Sequence, residues 1–174
     1  MSPAHIFQMH LVLGYVPWLF FLSLYVLPRL KTVDPAEVQR AIAVLHSFRF
    51  FGLVFLVPGV VGTGLPPTFA TFAAYGDFAT GLLAMLAVLA FRMRPVFWFF
   101  TAAFNLVGAA DILTDYYHGT QVGLPELAGQ LGATYAIPVL FVPLLMITHG
   151  LAFTLMARAR TPATLQPNRV PNRV

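Results

Sequence analysis

VLAFRMRPVF, residues 88–97, decides the fold. A long apolar run stops at Arg92 and Arg94, and another starts at Pro95. Two arginines between apolar stretches of membrane length mark a short loop on the side of a bilayer where basic residues are retained. Working outward, every other cation falls on that same side. Arg29, Lys31, Arg40 and Arg49 follow the first apolar stretch; Arg158, Arg160, Arg169 and Arg173 follow the last. The segment before the first stretch has no Lys or Arg, and neither do the connections after the second and fourth. This sorting predicts an all-α integral membrane bundle of five transmembrane helices, with the N-terminus outside and the C-terminus cytoplasmic. If the second stretch only dipped in and returned, Arg92 and Arg94 would move outside and the sorting would fail.

Composition agrees independently. Hydrophobic residues make up 59% of the chain and charged residues 9%, against about 25% charged in a soluble domain. The expected place is the inner (plasma) membrane of the cell, as a multi-pass protein with the lipid bilayer as its first partner. The formal charge of +4 flanks apolar spans instead of forming a patch, so it suits anionic lipid and not nucleic acid. The absence of cysteine excludes disulfides, thiolate metal sites and cysteine nucleophiles. Residues 1–28 lack a basic leader and are too long an apolar run for a signal peptide, so they read as the first span.

The expected spans are Ile6–Leu27, Leu45–Gly64, Phe72–Phe91, Pro95–Tyr117 and Ala133–Ala157. Each is close to the roughly 20 apolar residues that cross a hydrocarbon core. Asp34-Pro35-Ala36-Glu37 reads as a capping box that starts a cytoplasmic amphipathic helix running into span two. Arg49 is expected at the inner boundary, its stem snorkelling to headgroups. Pro58, Gly59, Gly62, Gly64, Pro66 and Pro67 predict an irregular outer half of span two, with a kinked or partly unwound end. Residues 1–160 read as one domain and 161–174 as a disordered cytoplasmic tail.

Ionisable groups inside spans are functional suspects. Counting from the basic flanks, Asn105 lies near mid-membrane and His149 close to that depth. His10, Asp77 and Asp111 share the outer part, with Asp115 and His118 just beyond. Helical spacing puts Gly108, Asp111, Asp115 and His118 on one side of span four, with Asn105 at its edge. Asp77, Thr80, Gly81 and Ala84 form a stripe on span three. His10, Gly14, Trp18, Phe21 and Tyr25 share a face of span one, and Tyr135, Pro138, Val142 and His149 a face of span five. These faces are expected to meet in an outward-opening polar cleft with Asp77, Asp111 and His10 facing one another and Asn105 beneath. The bland alternative is helix packing: small residues for close approach, Asn105 and His149 as interhelical bonds, and a His10–aspartate pair.

The cleft suggests a small-molecule ligand in proton-linked transport or sensing. A quinone- or haem-associated small subunit of a membrane redox complex is a second reading, and a non-catalytic structural subunit of a larger membrane complex a third. Haem needs histidines facing at one depth, and His149 has no evident partner there. His10, His118 and the three aspartates suit a transition metal by type but lack a close ligand motif. No serine lies in a hydrolase elbow, and no phosphate loop is present, so no catalytic residue is assigned.

Three strings carry a resemblance: Arg49-Phe50-Phe51-Gly52-Leu53-Val54-Phe55-Leu56-Val57-Pro58-Gly59, then Ala74-Tyr75-Gly76-Asp77, then Phe104-Asn105-Leu106-Val107-Gly108-Ala109-Ala110-Asp111. Together they look like small, uncharacterised bacterial multi-pass proteins, and the first two resemble the DoxX-like group. That group is generally four-helical and linked to quinone redox systems, so the resemblance implies a quinone setting and supplies no catalytic residue.

Overall fold

The computed structural model describes residues 1–159. The expected disordered tail, with Arg160, Arg169 and Arg173, lies outside the described residues. Five helical stretches are long and apolar enough to cross a membrane: Pro3–Val26, Pro35–Leu56, Pro67–Leu89, Arg94–Gln121 and Ile137–Arg158. No strand occurs among the described residues.

Helix α1 (Pro3–Phe21) starts at Ser2, whose hydroxyl accepts from the His5 amide, and continues through a π turn, Leu22–Val26. Helix α2 (Pro35–Ser47) starts at Asp34, whose side chain accepts from the Ala36 amide, with Pro35 at the first helical position. Glu37 does not close the capping box; it pairs with Arg40 at 2.6 Å. Helix α3 is Pro67–Leu89, α4 is Arg94–Gln121 and α5 is Val142–Ala159, the last preceded by a π turn at Ile137–Phe141.

The helices alternate in direction. At one end Arg40 and Arg94 both stack over Phe91, at 4.2 and 4.7 Å. This basic end joins the starts of α2 and α4 to the end of α3. At the opposite loop end, the amide of Gly62 donates to the Gln130 carbonyl at 2.7 Å and that of Gly64 to its side-chain oxygen at 3.0 Å. Helices α2, α3, α4 and α5 close a ring, each against the next and α5 back on α2. Helix α1 lies outside the ring, against α5.

The reason α1 docks there lies in a proline. Pro143 has no N–H to give to the Val139 carbonyl one turn earlier. The π turn brings that region to α1, and Gly14 packs on the Val139 carbonyl with no room for a side chain. One turn on, the Trp18 indole donates to the Leu140 carbonyl at 2.9 Å. The expected face of span one does pack, but on α5 rather than in the bundle interior, and Phe21 and Tyr25 stay exposed.

Span two departs most from expectation. Its first turns pack into the bundle instead of extending from it: Ala36, Gln39, Ile42, Ala43 and His46 form a buried face of α2. The chain then tightens into a 3-10 helix, Phe48–Leu56, which advances about 2.0 Å per residue instead of 1.5. The span therefore reaches the loop end by Leu56. Residues 57–66 form an irregular connection, with Gly59 at φ 83°; the expected irregular stretch is present, but as a loop beyond the span and not as its outer half.

Two apolar clusters fill the bundle. Phe7, Phe55, Phe69, Ala73 and Leu131 fill the loop-end half; Ala84, Ala87, Phe97, Phe104 and Ala152 fill the basic-end half. A buried polar layer separates them.

Candidate functional site

Arg49 organises that layer. It is 1% exposed, so it does not snorkel to headgroups as its sequence position suggested. It sits in the 3-10 segment of span two, where the tighter turn aims it inward. Its Nε donates to Asp77 of α3 at 2.6 Å, its Nη2 to Asp111 of α4 at 2.5 Å, and its Nη1 to the Gly108 carbonyl at 3.2 Å. Both carboxylates are buried. A guanidinium fork that meets carboxylates on two helices fixes their relative position and depth.

Glycines make the space. At Gly108 a Cβ would lie 2.6 Å from Arg49 Nη1, 2.6 Å from Thr80 and 2.8 Å from His149 Nε2. Arg49 and His149 thus converge on one point that only hydrogen can occupy. Gly76 lies closer still to the Asp111 carboxylate.

Toward the basic end, the Asn105 side-chain N–H donates to the Thr101 carbonyl at 2.8 Å, so its oxygen faces His149 Nδ1 at 2.9 Å. His149 must therefore donate from Nδ1, which leaves Nε2 as an acceptor turned toward Arg49. That atom is buried and has no hydrogen-bond partner among the described residues. The His46 ring lies 4.2 Å from that of His149, tilted by 48°, which leaves no space for a porphyrin between them.

Toward the loop end, a cavity of about 100 Å³ opens above the carboxylates. Its walls are apolar: Phe7, Leu11, Phe69, Leu124, Leu131 and Val142. Its polar lining is Asp77, Asp115, Tyr116 and Thr120. Asp115 sits one turn beyond Asp111 on the same face of α4, and its Oδ1 is buried without a hydrogen-bond partner among the described residues. Three carboxylates thus stand near one guanidinium. The Tyr116 hydroxyl pairs with that of Tyr15 of α1 at 2.9 Å, which ties α1 across the cavity wall. The expected polar cleft is therefore an apolar-walled pocket with an acidic floor.

Residues 6–157 match the family described as a domain of unknown function, DUF8737. The chain belongs to the DUF8737 family. No curated protein and no solved structure matches it.

In this DUF8737 chain, Asp77 and Asp111 lie together, but Arg49 joins them and His10 does not. His10 is exposed and bonds to the Tyr135 hydroxyl at 2.9 Å. The expected His10–aspartate pair is corrected for a geometric reason: α1 stands outside the ring. Asn105 and His149 form the pair beneath, and Asp115 lines the cavity. His118 turns away from it and packs on Phe72, ring centres 4.6 Å apart. Among the described residues, no three His, Asp or Glu side chains are grouped to hold a metal.

Sequence reading missed Arg49 and His46. A signal for Arg49 was present. Two lone carboxylates inside spans demand a cation, and Arg49 was the basic residue with apolar chain on both sides.

Proposed function

We propose that this is a multi-pass protein of the plasma membrane, N-terminus outside, whose outer cavity binds a small and largely apolar amine as the recognition step of solute transport or sensing. The observation that carries the reading is the partnerless Asp115 oxygen at the edge of an apolar pocket. A buried carboxylate oxygen with no partner is costly. Arg49 is committed to Asp77 and Asp111, so Asp115 looks to a guest for its positive charge. A ligand ammonium or a proton supplies it, and the two compete for the same oxygen, which links binding to proton uptake.

The volume limits the guest. An engineered apolar cavity of about 150 Å³ takes benzene, so a space of about 100 Å³ suits a short alkylamine. With n-butylamine as the probe, thermal unfolding of the purified protein is expected to shift upward with concentration. The stabilisation is about 2.7 kcal/mol at a hundredfold excess over Kd. Neither 1-butanol on the wild type nor butylamine on Asp115→Asn should produce the shift. Equal responses to amine and alcohol, or an unchanged response in the variant, would remove the carboxylate from recognition. A lack of any response would favour the structural-subunit reading.

Orientation is tested separately. Glu126 is exposed at the loop end. A cysteine placed there should react with an impermeant maleimide added to intact cells. Reaction only after the cytoplasmic face is opened would invert the topology.

A further inference from the structure

Helix α1 leaves the bundle at its basic end. A groove of about 520 Å³ lies there between the end of α1 and the start of α2. Its walls are Phe21, Tyr25, Val26, Leu30, Val33 and Val38, with Ala41 among the lining residues. Phe21 is 51% exposed and Tyr25 55%, so large aromatic surface lies open along a helix that no other described residue covers.

The mouth of the groove is cationic. Arg29 lines it and is held there by a bond from its Nη1 to the Tyr25 carbonyl at 2.5 Å. Lys31 is exposed two residues on, and its ammonium has no ion-pair or hydrogen-bond partner among the described residues. The one carboxylate at the mouth, Glu37, is taken by Arg40. An apolar trough ending in two uncompensated cations at a basic membrane face matches an acyl chain ending in an anionic headgroup.

We propose that this groove is a binding site for one anionic phospholipid, an acyl chain lying along Phe21, Tyr25 and Val38 and the phosphate meeting Arg29 and Lys31. The lipid fills the gap where α1 parts from α2 and so completes the bundle at that end. The proposal rests on the membrane placement above and not on the amine cavity.

The test is native mass spectrometry of the detergent-purified protein given phosphatidylglycerol and phosphatidylcholine in equal amounts. One phosphatidylglycerol should be retained, with a preference on the order of tenfold. Arg29→Gln with Lys31→Gln should abolish the preference. Ala41→Trp, which fills the trough, should abolish retention of either lipid. Equal retention of the two lipids by the wild type, or a preference unchanged in the double variant, overturns the proposal. So does a dimer that Ala41→Trp dissociates, because it puts a second copy in the groove. Release of the chain from membranes by alkaline carbonate would instead overturn the membrane placement itself, a failure separate from that of the lipid site.

Discussion

Arg49→Met should cost about 3–5 kcal/mol of stability, the usual effect of removing one partner from a buried ion pair. The size follows from what remains. Asp77 and Asp111 stay on facing sides of α3 and α4 with no cation, deep between two apolar clusters. Neither has another ion-pair partner among the described residues. The measurement is the unfolding midpoint in detergent, read by loss of the monomer peak after heating. A companion variant separates charge from packing. Arg49→Met combined with Asp77→Leu and Asp111→Leu removes all three charges at similar volume. It should recover most of the loss, since apolar replacement of a whole buried ion cluster is often neutral. If the single variant is as stable as the wild type, the Arg49 network does not hold the bundle.

Gly108→Ala should cost about 1–3 kcal/mol, the range for overpacking a filled core. One methyl group here meets a guanidinium nitrogen at 2.6 Å, the Thr80 methyl at 2.6 Å and an imidazole nitrogen at 2.8 Å. All three belong to buried residues, so none can swing into open space. Arg49 would have to move off the Gly108 carbonyl or His149 off Asn105. A control at Gly150, where a Cβ meets nothing within 4 Å, should be neutral or slightly stabilising, because alanine is the better helix former by about 1 kcal/mol. Equal effects at the two positions would argue that Arg49 and His149 are not fixed by Gly108.

Much of the helical plan was legible from residues alone. The end of α3 and start of α4 were marked by Arg92, Arg94 and Pro95. The stripe of Asp77, Thr80, Gly81 and Ala84 is buried as its spacing predicts. Asn105, Gly108 and Asp111 are buried together on α4. The three strings quoted from the sequence contain Arg49 and Gly52, Gly76 and Asp77, and Gly108 and Asp111, residues that meet in the polar layer. Span two was misread because its first turns are polar by composition. Their buried face is set by neighbours that hydropathy cannot see.

The sequence by itself determined that the chain has five apolar helices, where their polar stripes run, and that the described cations other than Arg49 gather at one end. These are local or additive properties: hydropathy over a window, periodicity along one helix, and a count of charge per connection. Only the tertiary structure decided who meets whom. Pro143 and the π turn before α5 draw α1 outside the ring, which takes His10 away from the aspartates. The 3-10 turn after Ser47 turns Arg49 inward, which gives those aspartates their partner. Both outcomes depend on small changes of helical twist, and a side chain's direction across a bundle follows from the accumulated twist of its helix, a quantity that no residue carries alone.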